Sequence, residues 1–172
     1  VRARQDPLRA RYKDVPKDAS ITDRARAVGG MDTDPFHGSV VPGSVDYGVV
    51  WPFGIHRAVG GYHDALNPGD LLCAALATCL ESTIHMVADR LGVELDSVEV
   101  DATASVDVRG TLVVDRNVPV GFQRMRCRVT LQPARGTDPK LLERLLAAAE
   151  HSCVNLQTLR NGVPVETELV AA

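Results

Sequence analysis

The chain has 172 residues, 45% of them hydrophobic and 24% charged, with a formal net charge of -3 at pH 7. That length and balance suit a single globular domain over residues 1–172, and a charge so near zero leaves no electrostatic footprint for nucleic acid. Aromatic residues make up only 4%, so Leu, Val and Ala have to build the core.

Residues 1–18 are polar and basic, contain two prolines, and read as an arm or a short first helix. The N-terminus lacks the apolar segment of a signal peptide, and the longest apolar run, Leu71–Leu80, is too short to span a bilayer. A cytoplasmic chain with no membrane partner is therefore expected, in which thiols stay reduced and structural disulfides are not expected. Residues 19–66 carry many glycines and prolines and suit short strands and loops. The segments "VDYGVVW" (45–51) and "FGIHRAV" (53–59) are the strand candidates there.

The first strong helix is expected over Pro68–Leu91. Asn67 can accept an orphan backbone N–H as N-cap, and Pro68 sits where its missing N–H costs nothing. Asp70 complements the positive helix end, and Gly92 can close the helix in the left-handed conformation. A long strand follows. Val98, Val100, Ala102, Ala104, Val106 and Val108 alternate with polar residues, so one face is buried and the other wet. After turn residues at 118–121, a partner strand sets Met125, Cys127, Val129 and Leu131 on one face and Arg124, Arg126, Arg128 and Thr130 on the other. That arginine stripe is expected to face Glu99, Asp101 and Asp107 across the hairpin. A second helix is expected from Asp138 and Pro139 to about Cys153, and Val163, Val165, Thr167 and Leu169 mark a last strand. This order of antiparallel strands and two main helices defines an α+β fold.

The four cysteines, Cys73, Cys79, Cys127 and Cys153, form no CxxC pair. With no HExxH and no ligand-spaced Cys/His cluster, no metal site is expected. His85 and His151 read as solvated or hydrogen-bonded helix residues. On the first helix, Cys79 shares a face with Leu72, Ala75, Leu76, Thr83 and Met86, while Cys73 lies about 120° round from it. On the second helix, Leu142, Leu146, Ala149 and Cys153 form a similar stripe. Periodicity alone suits all four cysteines as small apolar core residues.

Two segments add more. "NPGDLLCAALATCLEST" (67–83) resembles the first helix of the OsmC/Ohr family (osmotically inducible protein C and organic hydroperoxide resistance protein), with its Asn-Pro start and a cysteine at Cys79. "AEHSCVNLQTLRNGVPVE" (149–166) resembles that family's second motif, in which a cysteine, here Cys153, ends the second helix. The resemblance covers roughly residues 19–170. It implies antiparallel sheets wrapped around two main helices in an intertwined homodimer. It also implies a thiol peroxidase for organic or lipid hydroperoxides, used in oxidative-stress defence. In that chemistry Cys79 attacks as a thiolate and becomes a sulfenic acid, and Cys153 condenses with it to a disulfide. An external dithiol or lipoyl-type reductant then opens the bond, and no bound cofactor is implied. Sulfenic acids need such a resolving thiol to escape irreversible oxidation.

The resemblance also implies an arginine ahead of the first helix. Arg57 in "FGIHRAVGG" stands near that position, with Arg24 and Arg26 as alternatives, and a guanidinium can steady both a thiolate and a developing oxyanion. Two positions depart from the family pattern. The glutamate that would hold the arginine is Gly69 here, with Asp70 one residue on and Glu81 outside the family pattern, and a proline after the second cysteine is Val154. The alternative these departures leave open is a binding protein on the same scaffold, with Cys79 and Cys153 lining an apolar pocket. The homodimer that the resemblance implies also answers a need of the first helix. The helix is apolar over most of its circumference between Leu71 and Leu80, and such a helix needs cover on every side.

Overall fold

The computed structural model describes residues 1–29 and 34–170. The chain divides into two compact units, Val1–Ala74 with Ala102–Cys127, and Ala75–Asp101 with Arg128–Ala172.

In the first unit, helix α1 (Arg2–Asp14) has no buried residue and leads into a 3-10 turn at Pro16–Ala19. Arg11 reaches Asp18 at 2.7 Å across that corner. Strands β1 (Ala25–Gly29), β2 (His37–Pro42) and β3 (Trp51–Gly54) form an antiparallel sheet in that order. Its register sets Ala25 opposite Pro42 and Val40 opposite Trp51. Gly38 is where the sheet tolerates no side chain: a Cβ there would meet the Phe53 ring and stand 2.9 Å from the Val28 carbonyl.

The two strands expected at 45–51 and 53–59 are replaced by the single short strand β3. Val45–Tyr47 and Arg57–Val59 are 3-10 turns. Gly48 (φ 65°) breaks the first run in a left-handed conformation that an extended strand cannot continue through, and Gly60 (φ 95°) closes the 3-10 turn that ends the second. His37, at the start of β2, pairs through Nδ1 with Asp34 and through Nε2 with Asp64 at 2.9 Å. Its ring stacks on Tyr62 with centroids 5.6 Å apart. This cluster ties β2 to the segment that precedes the long helix.

That helix, α2, spans Pro68–Leu91 as the sequence predicts. Asn67 Oδ1 accepts from the backbone N–H of Gly69 at 2.8 Å and of Asp70 at 3.2 Å. Asp70 Oδ2 accepts in return from Asn67 N at 3.0 Å and Nδ2 at 2.6 Å, so two residues satisfy the open helix end reciprocally. Gly92 (φ 70°) closes the other end, with the Val93 N–H bonded to the Ala88 carbonyl at 2.9 Å. Taken whole, the 24-residue helix is long and apolar enough to cross a bilayer by length and composition, which the run Leu71–Leu80 alone did not indicate. A core helix has the same properties, and here Leu76, Leu80, Thr83, Ile84 and Ala88 are buried.

Among the described residues, every buried large apolar side chain belongs to the second unit: Leu76, Leu80, Ile84, Val93, Leu145 and Leu156. Burying each is worth about 1.5–3 kcal/mol. Strands β4 (Leu95–Ser105) and β5 (Arg124–Pro133) form a two-stranded sheet. It is tied by Ala134 N to Glu94 O at 3.0 Å at one end and Gln123 N to Ser105 O at 3.0 Å at the other, so the strands run antiparallel. β4 stops short of the expected Val106–Val108. There Asp107 folds onto Arg109, bonding its backbone N–H at 3.0 Å and its guanidinium at 2.6 Å, and a turn replaces the strand. Asp107 is thereby taken by Arg109 and not by the arginine stripe of β5.

Helix α3 (Pro139–Ser152) starts on Asp138, whose carboxylate accepts from Lys140 N at 2.9 Å. The chain then turns at Cys153 into a further helix, α4 (Val154–Asn161), which ends on Gly162 (φ 70°). The last strand expected at 163–169 is absent from the described residues. That stretch is exposed and has no strand beside it. An alternating apolar pattern becomes a strand only where a neighbour takes up its N–H and C=O groups.

Candidate redox site

The candidate site centres on Cys79 and Cys153, both in the second unit. The buried stripe of α2 runs through Leu76, Leu80, Thr83, Ile84 and Ala88. Leu72 and Met86, expected to flank Cys79 on the buried face, are 36% and 38% exposed. The stripe is thus rotated from the one predicted, and Cys79 sits at its margin, partly exposed. On α3 the buried positions are Leu145 and Ala149, with Leu142 and Leu146 only partly covered. Cys153 is fully buried at 0% exposure.

The two sulfurs meet. The Cys153 thiol donates to Cys79 Sγ at 3.4 Å across 74 residues of sequence. Both cysteines are free thiols. A disulfide has its sulfurs about 2.05 Å apart, so bond formation needs an approach of only about 1.4 Å. Burial pushes the Cys153 thiol up from its ordinary value. The amide N–H of Leu156 at the start of α4 pulls the other way, Cys79 pushes up, and the amide of Asn155 again pulls down. The net direction is upward, with burial the largest cause.

Four contacts hold this arrangement. Thr83, buried one turn along α2, donates its hydroxyl to the Cys79 carbonyl at 2.7 Å. Asn155 donates its side-chain amide to the Ala75 carbonyl at 2.7 Å. At the α3–α4 corner, Gln157 Nε2 donates to the Glu150 carbonyl at 2.8 Å and Arg160 pairs with the Glu150 carboxylate at 3.0 Å. Cys153 thus occupies a braced corner and not the end of a fraying helix. Sequence reasoning found the two cysteines but missed Asn155, Gln157 and α4 itself. The helix-stop signal Arg160–Asn161–Gly162 was available to find α4.

Arg57 lies in the first unit, in the 3-10 turn after β3, and is exposed. Arg24 and Arg26 are also exposed in that unit, at and just before β1. The missing glutamate has a local explanation in the same unit. A Cβ at Gly69 would stand 2.9 Å from Asn67 Oδ1 and 3.1 Å from Phe122 Cζ, so the Phe122 ring occupies the space beside this position. Cys73 is partly exposed on α2, and burial followed by the charge of Asp70 raises its thiol above the ordinary value.

The family model for OsmC-like protein matches residues 61–168. The chain belongs to the OsmC-like protein family. An organic hydroperoxide resistance protein OsmC from Legionella pneumophila is 26% identical, covering 83% of this chain and 92% of its own, with a TM-score of 0.57. An OsmC-like protein from Mycoplasma pneumoniae is 11% identical over 83% of this chain and 90% of its own, with a TM-score of 0.65. The organic hydroperoxide resistance protein OhrB of Bacillus subtilis is 19% identical over 83% and 93%, with a TM-score of 0.54. Among curated proteins none matches by sequence.

Proposed function

We propose that this protein is a two-cysteine thiol peroxidase that reduces organic hydroperoxides, lipid hydroperoxides among them. The observation that carries the reading is the Cys79–Cys153 pair: sulfurs 3.4 Å apart, one partly exposed and one buried. Membership of the OsmC-like family and the likeness to proteins named for organic hydroperoxide resistance support it. The Cys79 thiolate attacks the outer peroxide oxygen. The O–O bond breaks, the alcohol leaves with one proton, and Cys79 is left as a sulfenic acid. The Cys153 thiol then attacks that sulfur, a disulfide forms, and water leaves. A dithiol reductant from outside the chain, of lipoyl type, takes up the disulfide and restores both thiols.

Arg57 enters this reading through its sequence motif and not through its position. As the cation that supports the thiolate, it predicts slower alkylation of Cys79 near neutral pH in Arg57→Ala. A homodimer is part of the same reading. The deciding experiment adds one equivalent of cumene hydroperoxide to the reduced chain and counts free thiols. Loss of two thiols per peroxide, with a Cys79–Cys153 linked peptide in a non-reducing digest, is the expected result. Intact peroxide and four unmodified thiols would sink the enzyme reading.

A further inference from the structure

We infer that Asn155 is a positioning residue that holds the Cys153 sulfur against Cys79 and so sets how readily the two join. This rests on the two-cysteine reading for its role in turnover, but its geometry stands alone. Asn155 is the second residue of α4, two beyond Cys153. Its side-chain Nδ2 donates to the Ala75 carbonyl at 2.7 Å, a link between segments 80 residues apart. Ala75 lies four residues before Cys79, one helical turn along α2. One amide therefore fastens the corner that carries Cys153 to the turn of α2 that leads to Cys79.

The same residue also acts on the sulfur directly, since the Asn155 backbone N–H is one of the two amides that favour the Cys153 thiolate. The other end of the corner is braced separately, by Gln157 and Arg160 on Glu150. With that brace in place, losing the Asn155 amide leaves α3 and α4 joined while freeing the corner to move relative to α2. The sulfurs then spend less time in contact, and the effective concentration of one thiol toward the other falls. In turnover the consequence falls on the second step. Condensation of the Cys79 sulfenic acid with the Cys153 thiol, releasing water, slows, while peroxide attack on Cys79 does not. A longer-lived sulfenic acid is open to a second peroxide and irreversible sulfinic acid.

The test uses the full chain and two variants. Asn155→Asp keeps the shape but offers no donor when ionised, and Asn155→Ala removes the group. Each is equilibrated with reduced and oxidised glutathione, and the Cys79–Cys153 disulfide is quantified by linked-peptide mass spectrometry. The expected result is a roughly tenfold drop in the disulfide equilibrium constant for both variants, a shift of about 30 mV toward a more oxidising couple. Melting of the reduced proteins is the control, because a purely structural role lowers the melting point without moving this equilibrium. Parent-like equilibria in both variants would overturn the proposal. One equivalent of cumene hydroperoxide with dimedone present gives the second readout, and dimedone-labelled Cys79 should rise in the variants at the expense of the linked peptide. If the parent leaves peroxide intact while the glutathione equilibrium still shifts in the variants, the peroxidase reading fails and the positioning role stands.

Discussion

Cys153 and His37 show how neighbours assign work to a side chain that sequence pattern leaves neutral. Periodicity marked Cys153 as a core residue, and burial agrees; the placement of Cys79 Sγ at 3.4 Å is what makes it a candidate reaction partner as well. His37 was unremarkable in the sequence, yet it sits between the carboxylates of Asp34 and Asp64. Hydrogen bonds to those carboxylates, Asp34 first, raise its imidazole above the ordinary histidine value, and His37 lowers both aspartates in turn. The raised histidine gives a contribution that is complete below the ordinary histidine value and is lost as pH rises through the raised one. The lowered aspartates contribute fully above the ordinary aspartate value and lose it as pH falls through their depressed ones. The cluster therefore holds best between those two ordinary values. Imidazole titration by NMR should place the His37 midpoint above the ordinary histidine value in the parent and lower it in Asp64→Asn. A parent midpoint at or below the ordinary value would remove the cluster as a tie to β2.

At the scale of elements, the corner between α3 and α4 explains the departure at Val154. That residue is the first of α4, where the backbone N–H has no partner within the helix, and its side chain is exposed. A proline is suited to such a position because its fixed φ matches the helix and its missing N–H is not needed. Val154→Pro should therefore be accepted and should stabilise the chain by about 0.4–1 kcal/mol through the unfolded state, measured by urea unfolding; a loss of similar size would show that the corner needs the Val154 N–H. The long helix α2 was legible to both ends because its caps are local: Asn67, Pro68, Asp70 and Gly92 act within four residues of the positions they mark. The cysteine pair was legible through two motifs. The brace was not, since Asn155 bonds a backbone carbonyl 80 residues away and no pattern in side chains records that. The strand expected at 45–51 is cut by the left-handed Gly48, which apolar content does not record. The stretch 163–169 has a strand's alternation without a strand's neighbour.

For the whole molecule, the exposed apolar side chains of the last segment are the informative feature: Val165 is 81% exposed and Leu169 95%, on a segment with strand alternation. A second copy that supplies the neighbouring strand would cover these residues and satisfy their backbone. Light scattering coupled to size exclusion should give a two-chain mass at micromolar concentration, and a chain ending at Gly162 should shift toward one-chain mass or fail to fold. A stable, folded one-chain species of the full sequence would overturn the dimer.

The burial of Cys153 has a consequence for how the proposed cycle is reset. A reductant arriving from solvent reaches only the Cys79 side of the disulfide, because the Cys153 sulfur is enclosed. Exchange is then directional: the incoming thiolate bonds Cys79, and Cys153 departs as the leaving group. Leaving groups whose thiols hold their protons tightly depart slowly, and burial pushes Cys153 in that direction. The enclosure that shields the resolving thiol from bulk oxidant thus makes its release the demanding step. Once Cys153 has left, its thiol can reverse the exchange by attacking the mixed disulfide on Cys79; a dithiol's second thiol displaces Cys79 and closes a ring, which drives the exchange forward where a monothiol waits for a second molecule. Turnover with dihydrolipoamide should accordingly exceed turnover with glutathione at equal thiol concentration, and in Cys153→Ser the monothiol should remain bound to Cys79, visible as its added mass on the intact chain.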